Sequence, residues 1–346
     1  MDCVIKKAGR GFSLVELLVG MVLGLILIGG AVSIYLASKR SYVEVEQVAA
    51  LTESARFAEQ LIGDSLRHAG FFGEVTANAI EVDANLTGVV GDCSGLASAH
   101  NLVQFVFADT IDGSNSALGC IDDGMVGTDV LVIKRVLPRP YTDGPRDSFD
   151  PNDPAQSDGA IDFPAVLQND KTYVVANNVG GVLFDGNDPA PTINLGGEVP
   201  GGSAWEYKYE VYYIRDPDPA GDDDVPQLSR KILVWNGTAM ELQTEDVAEG
   251  VENLRILLGY SSGTNGDVDT YETPAQISTS GSWSNIQSVE VYLLTRSATK
   301  DVQYTDAKQY QMPGETIPVA NDNYRRLMSH ASVSLRNLKL LVRGGV

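Results

Sequence analysis

The chain is poor in cationic side chains. Its 346 residues include 25 lysine and arginine residues against 46 aspartate and glutamate residues, which gives a formal net charge of −21. This balance argues against nonspecific binding to nucleic acid or to anionic lipid headgroups, because both need a cationic protein surface. We interpret the acidity as a source of solubility in an exposed compartment rather than as a specific acidic site.

The chain also lacks the residue patterns of common catalytic sites. Its three histidines, His68, His100 and His330, are scattered without motif spacing. No G-x-S-x-G, H-E-x-x-H or phosphate-binding glycine loop occurs. We therefore predict no enzymatic activity and no cofactor. A membrane-anchored enzyme or ligand-binding protein outside the cytoplasm is an alternative, but it needs a polar pocket for which the sequence offers no candidate residues.

Cysteine is scarce, with Cys3, Cys93 and Cys120 as the three examples. Cys93 and Cys120 lie in surroundings rich in glycine, aspartate and serine, and two cysteines alone do not form a zinc site. If this part of the chain lies outside the cytoplasm, a disulfide between them would close a loop of moderate length. Two free thiols are the alternative.

An apolar run near the N-terminus, residues 12–36, contains no proline and one charged side chain, Glu16. The run is long enough to cross a bilayer as a helix. It is too long for the apolar region of a signal peptide, and no A-x-A cleavage site ends it. Because Lys6, Lys7 and Arg10 precede it, the positive-inside rule predicts a cytoplasmic N-terminus and translocation of the rest.

The helical pattern continues beyond the apolar run as an amphipathic helix. Gly70 is a good stop signal, so the helix is predicted from about residue 13 to residue 69. Its first half favours lipid or other helices, whereas its second half favours packing against a domain. The apolar stripe that faces this domain recurs at spacings of three and four residues: Leu51, Ala55, Ala58, Ile62, Leu66 and Ala69.

After residue 73 the sequence is typical of strands and turns. Asn236-Gly237, between two β-rich segments, predicts a hairpin with a type I′ turn. Val289, Val291 and Leu293 alternate with polar or amphipathic residues, as in an antiparallel sheet with one buried face. We therefore predict an α+β fold in which the long helix covers a mostly antiparallel sheet. The predicted strands lie within residues 101–109, 128–137, 172–179, 207–216, 231–243, 253–260, 286–297 and 331–342.

The segment GFSLVEL at residues 11–17 resembles the class III signal of type IV prepilins and pseudopilins. A short basic leader ends at Gly11, and a glutamate follows at the fifth position after it. The resemblance implies that a membrane prepilin peptidase cuts between Gly11 and Phe12 and methylates the new Phe12 amine. Cys3 would leave with the leader, so any disulfide would join Cys93 to Cys120. An ordinary signal anchor that carries a glutamate is the alternative.

The resemblance also implies a role for Glu16. A charged side chain at mid-bilayer costs about 2.5–3.5 kcal/mol on insertion scales, and less near the end of the span. In pilins the glutamate at this position is thought to pair with the N-terminal amine of a neighbouring subunit, which here would be the Phe12 amine. Such a pair would set the axial register of an incoming subunit, since one partner alone would leave a buried unpaired charge.

Within this class the chain resembles the PilW family of minor pilins. The family implies a pilin-like fold and a protein that primes type IV pilus assembly and sits at or near the fibre tip with other minor pilins and a tip adhesin. A minor pseudopilin of a type II secretion system is the alternative. Residues 74–245 show no resemblance to the family. The similar segments are residues 12–30, 54–73, 250–260, 269–271, 285–297 and 324–338.

These interpretations predict four regions. They are a cleaved leader (residues 1–11), a transmembrane and assembly half of the helix (12–38), its amphipathic half (39–70) and a β-rich head outside the cytoplasm (71–346). The protein would cross the bacterial inner membrane once, with its head in the periplasm, and then join a fibre at the cell surface. Its implied partners are the prepilin peptidase, the inner-membrane assembly platform, the major pilin, other minor pilins and the tip adhesin.

One loop has a weak resemblance to a calcium site. Asn265, Asp267 and Asp269 alternate along the chain, and calcium favours several oxygen ligands at such spacing. Because the loop contains few carboxylates, a plain turn is the alternative interpretation. We predict no metal as part of the protein's function.

Overall fold

The computed structural model describes residues 13–140, 167–193, 195–216, 225–261 and 267–337. The chain divides into two compact units, residues 1–50 and residues 51–346. The predicted leader, including Gly11 and Phe12, and the calcium candidate Asn265 lie outside the described residues.

A single long helix, α1, spans Leu14–Arg67 and belongs to both units. The prediction of a helix from about residue 13 to residue 69 is therefore confirmed to within two residues at each end. Gly70 follows with a φ of 70°, a left-handed conformation that commonly ends a helix. Its N–H donates to the carbonyl oxygen of Lys134 at 3.0 Å, a contact within the second unit that fixes the end of α1.

The second unit contains fourteen strands and a short helix among its described residues. Each of the eight predicted segments contains strand residues, although several strands begin or end a few residues from the predicted bounds, and residues 338–342 of the last segment lie outside the described residues. The elements are β1 (Ile80–Val82), β2 (Val106–Thr110), β3 (Asp129–Val136), β4 (Thr172–Ala176), β5 (Gly181–Asp185), β6 (Ser203–Arg215), β7 (Gln227–Trp235), β8 (Met240–Glu249), β9 (Val251–Tyr260), β10 (Thr270–Glu272), α2 (Pro274–Ser280), β11 (Ile286–Arg296), β12 (Tyr310–Met312), β13 (Glu315–Ile317) and β14 (Arg326–Ser334).

The strands form three sheets. The largest has the order β1-β5-β4-β6-β3-β2, and β7 and β8 extend it from a second stretch of β6. The others have the order β10-β9-β11-β14 and β12-β13. Apart from the parallel pair β1–β5, the described pairs are antiparallel, which confirms a mostly antiparallel head.

The chain leaves the large sheet for the four-stranded sheet at Gly250, between β8 and β9. Gly250 has a φ of 84°, and a Cβ atom there would lie 2.6 Å from the carbonyl oxygen of Arg296. A residue with a side chain would be strained at this position, so glycine allows the abrupt change of sheet. The mostly antiparallel head is therefore divided into separate sheets at this turn.

The core of the second unit lies between these sheets and the second half of α1. The predicted stripe is confirmed, because all six of its residues are buried, and Ile62 and Leu66 are completely so. On β11 the buried residues Val289, Val291 and Leu293 also match the predicted face. Burial of such apolar side chains is the main source of stability in a domain of this kind, and each contributes about 1.5–3 kcal/mol.

The hairpin predicted at Asn236-Gly237 forms between β7 and β8, but its turn is not type I′. Type I′ needs positive φ at both central residues, whereas φ is positive at Gly237 (96°) and not at Asn236. The Asn236 side-chain oxygen accepts hydrogen bonds from the N–H groups of Thr238 and Ala239 at 2.9 and 3.0 Å. Asn236 therefore closes the turn through its side chain, which explains why the prediction of the turn type is wrong.

Candidate functional site

The first half of α1 is the strongest candidate for a functional surface. Its apolar side chains are exposed, including Leu14 and Leu27 at 73% each. An 18-residue window of this helix has a mean hydropathy of 2.6, and none of the window is buried within the chain. A water-soluble surface rarely carries an apolar patch of this extent. This segment therefore requires lipid or the helices of other subunits around it.

Glu16 lies in the first turn of this helix. Its carboxylate accepts a hydrogen bond from the N–H of Ser13 at 3.4 Å, and a negative charge at this end is favourable with the helix dipole. The next charged side chain along the helix is Lys39, about six turns away. No cation on its own helix can therefore reach Glu16, and a partner for it in a dry helix bundle must come from elsewhere.

The structure joins Cys93 to Cys120, the pair expected from the sequence, in a disulfide with a Cα–Cα distance of 4.7 Å. Beside it, the N–H and hydroxyl of Ser94 donate to the carbonyl oxygen of Leu118 at 2.7 and 3.0 Å. Two loops of the head are thus held together by one covalent bond and two hydrogen bonds.

The loop that begins at the disulfide, residues 92–101, is also fixed by side chains that sequence analysis did not single out. The ammonium of Lys134 on β3 is completely buried and donates to two backbone carbonyl oxygens of the loop, at 2.7 and 2.9 Å. The hydroxyls of Tyr207 and Tyr209 donate to two more, at 2.5 and 2.8 Å. Burial lowers the pKa of Lys134 to about 7. The available signal was the pair Lys134-Arg135 in a run, VLVIKRVL, whose other residues are apolar.

The histidines do not form a common site. Nδ1 of His68 lies 2.9 Å from the carbonyl oxygen of Asp64 in the last turn of α1, in agreement with a helix-end role. His330 on β14 stacks on Tyr292 with ring centroids 4.3 Å apart. Burial lowers the pKa of His100, which belongs to the loop near the disulfide.

The calcium candidate remains a sequence prediction. Asp267 and Asp269 are described, and the carboxylate of Asp269 accepts a hydrogen bond from the hydroxyl of Thr270 at 2.9 Å. Within the part of the chain that the structure describes, no group of three or more histidine, cysteine, aspartate or glutamate residues could hold a metal ion.

Comparisons with known proteins place two family signatures on the chain. Residues 6–32 match the prokaryotic N-terminal methylation motif, which ends within the apolar half of α1. Residues 211–337 match the family model of the type IV pilus-assembly protein W, PilW, from within β6 to the end of the described residues. This second match includes the late segments quoted above, and it also reaches into residues 211–245, where sequence analysis found no resemblance.

None of the curated protein sequences matches the chain. Among solved structures, a type IV-like pilin from Thermus thermophilus is similar with a TM-score of 0.32 and 11% identity, over 84% of this chain and 98% of that chain. The chain is therefore similar to N-terminally methylated pilin-like proteins over residues 6–32 and to the PilW family over residues 211–337.

Proposed function

We propose that the protein is a minor pilin that primes assembly of a type IV pilus and stays at or near the fibre tip, with other minor pilins and a tip adhesin. The observation that carries this proposal is a head similar to PilW on a helix whose first half is exposed, mostly apolar and carries one carboxylate, Glu16. This combination suits ordered association with similar helices. The proposed role needs no catalysis by the protein itself.

Before assembly, the prepilin peptidase would cut between Gly11 and Phe12 and methylate the Phe12 amine. The apolar half of α1 would then hold the subunit in the inner membrane as a single span, with the head in the periplasm. Two observations support this orientation. Lys6, Lys7 and Arg10 precede the span, and the Cys93–Cys120 disulfide suits an oxidising compartment.

During assembly, Glu16 would pair with the Phe12 amine of an adjacent subunit. The exposed surface of α1 provides the apolar contact, but apolar contact alone permits many axial offsets between two parallel helices. A single carboxylate that finds a single amine selects one offset, because every other offset leaves both charges unpaired away from water. The cost of breaking such a pair by removing one partner is about 3–5 kcal/mol.

The test compares Glu16→Gln with Glu53→Gln, which changes an exposed glutamate on the second half of the same helix. We expect Glu16→Gln to be inserted and processed normally, but to reduce the number of surface pili at least tenfold. Glu53→Gln should leave piliation unchanged. Wild-type piliation with Glu16→Gln would contradict the proposed pairing.

The position at the tip needs a separate measurement. Immunogold labelling of the head on sheared fibres should give at most one label per fibre, at one end. Label along the fibre length would contradict a tip position. Deletion of the gene should abolish twitching and spare exoprotein secretion, whereas the opposite pattern would favour the alternative of a type II secretion pseudopilin.

A further inference from the structure

The four-stranded sheet ends in a long strand with one unpaired edge. β14 pairs with β11 along all nine of its residues, from Arg326 to Ser334, without a register shift. It is the last strand in the order β10-β9-β11-β14, and among the described residues no strand lies along its other side. At about 3.4 Å per residue, this free edge is roughly 30 Å long.

The hydrogen bonds at the two ends of β14 show which backbone groups point to the free edge. The N–H of Ser297 donates to the carbonyl oxygen of Arg325, and the N–H of Leu335 donates to that of Gln287, both at 2.8 Å. Backbone groups of an antiparallel strand alternate between its two edges, so the odd-numbered residues bond to β11. The N–H and C=O groups of the five even-numbered residues therefore point away from the sheet: Arg326, Met328, His330, Ser332 and Ser334. Within the part of the chain that the structure describes, none of these groups bonds to another backbone group.

The other long edge strand of the head, β8, is protected, whereas β14 is not. Val90 forms backbone hydrogen bonds of 2.8 and 3.1 Å with Met240 and Leu242 at the start of β8. β8 also carries four carboxylates, on Glu241, Glu245, Asp246 and Glu249. Charged side chains, proline and bulges are the usual means by which proteins protect an exposed strand edge. β14 has no lysine, carboxylate, proline or bulge, so its edge remains available for pairing.

Both ends of β14 are anchored, so its free edge is preorganised. The Arg326 side chain is 8% exposed and contacts three carboxylates. These belong to Glu252, Asp306 and Asp322. Towards the other end, Val333 is buried, and a Cβ atom at Gly63 of α1 would lie 3.9 Å from its side chain. The side-chain amide of Asn337 donates to the carbonyl oxygen of Ala69 at 3.0 Å. A rigid edge loses little conformational entropy when a segment binds to it.

The exposed side chains beside this edge favour an apolar partner. Met328 is 40% exposed, and the His330 side chain is 41% exposed and stacks on Tyr292. An added strand would place alternate side chains about 4.5–5.5 Å from Met328 and His330, and apolar side chains there would cover this surface. A carboxylate would instead approach Glu290, which lies 3.6 Å from His330, and a chain whose net charge is −21.

We propose that the free edge of β14 binds an extended segment of a different protein by strand addition. The segment carries apolar side chains at alternate positions and no carboxylates. Its backbone forms up to about ten hydrogen bonds, because each even-numbered residue of β14 offers one donor and one acceptor. A second copy of this chain is disfavoured, because two chains of net charge −21 repel each other. The inference does not rest on the assembly role of α1, since every residue of the edge belongs to the head.

Amide hydrogen exchange of the full-length protein in nonionic detergent tests whether the edge is open. Within residues 327–332 of the free protein, the even-numbered amides should exchange at least tenfold faster than the odd-numbered ones, because only the latter bond to β11. The probe is a nonapeptide of alternating valine and threonine with a lysine at each end. It should slow the even-numbered amides at least tenfold and leave the odd-numbered ones unchanged. Equal exchange of the two sets in the free protein would overturn the proposal.

Fluorescence anisotropy with the fluorescein-labelled peptide measures the binding itself. Ser332→Pro removes an N–H that points to the free edge and leaves the bonds to β11 intact, a position at which proline is tolerated. This variant should bind the peptide at least tenfold more weakly than the wild type. Ser332→Ala is the matched control and should bind like the wild type, because it keeps the N–H. Equal binding by Ser332→Pro and the wild type would overturn the pairing.

Two further peptides test the chemistry of the segment. Serine in place of valine, or glutamate in place of the terminal lysines, should weaken binding at least tenfold. Equal binding of either peptide and the parent would overturn the stated chemistry. Dimers of the free protein that Ser332→Pro abolishes would place a second copy on this edge and would also overturn the proposal.

If Ser332→Pro does not fold, peptides methylated on alternate backbone nitrogens replace it. Methylation in one register removes the N–H groups that face β14 and should weaken binding at least tenfold. Methylation in the other register removes N–H groups that face solvent and should have little effect. Equal binding of the two methylated peptides would contradict strand addition.

Discussion

Replacement of Cys93 and Cys120 by alanine should lower the stability of the head without changing its fold. The two cysteines are separated by 27 positions in sequence. Opening a loop of this length in the unfolded chain restores conformational entropy worth about 3.5 kcal/mol at 25 °C. The expected loss in the free energy of unfolding is therefore about 3.5 kcal/mol, a large part of the 5–15 kcal/mol typical of a folded domain.

The fold should survive this loss because other contacts hold the same loops. Lys134, Tyr207 and Tyr209 bind four carbonyl oxygens of residues 92–101, and Ser94 binds Leu118 twice. Each neutral hydrogen bond contributes about 0.5–1.5 kcal/mol. Ser94→Ala, which removes one exposed hydrogen bond beside the disulfide, is the matched control and should cost no more than about 1 kcal/mol.

The assay is urea unfolding of the full-length protein in nonionic detergent, followed by tryptophan fluorescence. All three tryptophans, Trp205, Trp235 and Trp283, lie in the second unit, so the signal reports the head. Reductant should destabilise the wild-type protein and Ser94→Ala to the level of the double cysteine variant, and it should leave that variant unchanged. Free energies of unfolding of the wild type that differ by less than about 0.5 kcal/mol between oxidised and reduced protein would refute the reasoning, because that is the range of neutral surface changes.

Three further predictions concern the packing and charge of the head. Ile62→Ala should lower the free energy of unfolding by about 2–5 kcal/mol, because Ile62 is fully buried and its removal leaves a cavity. Phe57→Ala, on the exposed side of α1, is the control. Equal losses for the two variants in denaturant unfolding would contradict the packing of the stripe. Gly73→Ala should lower the free energy of unfolding by at least about 1–3 kcal/mol, since Gly73 has a φ of 83° and a Cβ atom there would lie 2.5 Å from Nε1 of Trp205. The control, Gly113→Ala, has open space around its Cβ position and should be nearly neutral. A thermal midpoint for Gly73→Ala equal to that of the wild type would contradict the contact. Between pH 7 and 9 the wild type should gain on the order of 2 kcal/mol relative to Lys134→Met, because burial lowers the pKa of Lys134 to about 7 in the folded state while the unfolded chain keeps a value near 10.4. The unfolded state then binds more protons than the folded state in this window, so the free energy of unfolding rises with pH. If the difference in this free energy between the wild type and Lys134→Met did not change with pH, Lys134 would keep its proton in the folded state.

Periodic features of the head were predictable because they are local. The stripe from Leu51 to Ala69 needs only the helical repeat, and the buried face of β11 needs only the alternation of Val289, Val291 and Leu293. The cysteine pair was predictable because few cysteines are present. The turn type at Asn236 was not predictable from the sequence. Whether Asn236 closes the turn with its side chain or adopts a left-handed backbone depends on the register between β7 and β8.

Contacts between distant segments were not predictable for a related reason. Lys171 and Lys208 are 37 positions apart in the sequence, and both reach Glu206 because β4 pairs with β6. Likewise, nothing local in the sequence shows that Lys134 binds residues 92–101, or that Gly73 must leave room for Trp205.

The amino-acid sequence by itself determined the helix, its apolar first half, the position of Glu16 and the alternating strands, since each depends on residues close together in the chain. It also located the prepilin signal and the late PilW-like segments, which the two family matches bear out, whereas residues 54–73 lie outside both matches. Only the tertiary structure decided how the strands divide into sheets and which side chains fix the loop at the disulfide. These features arise from contacts between distant parts of the chain, and hydrophobic periodicity carries no information about which distant strands become neighbours.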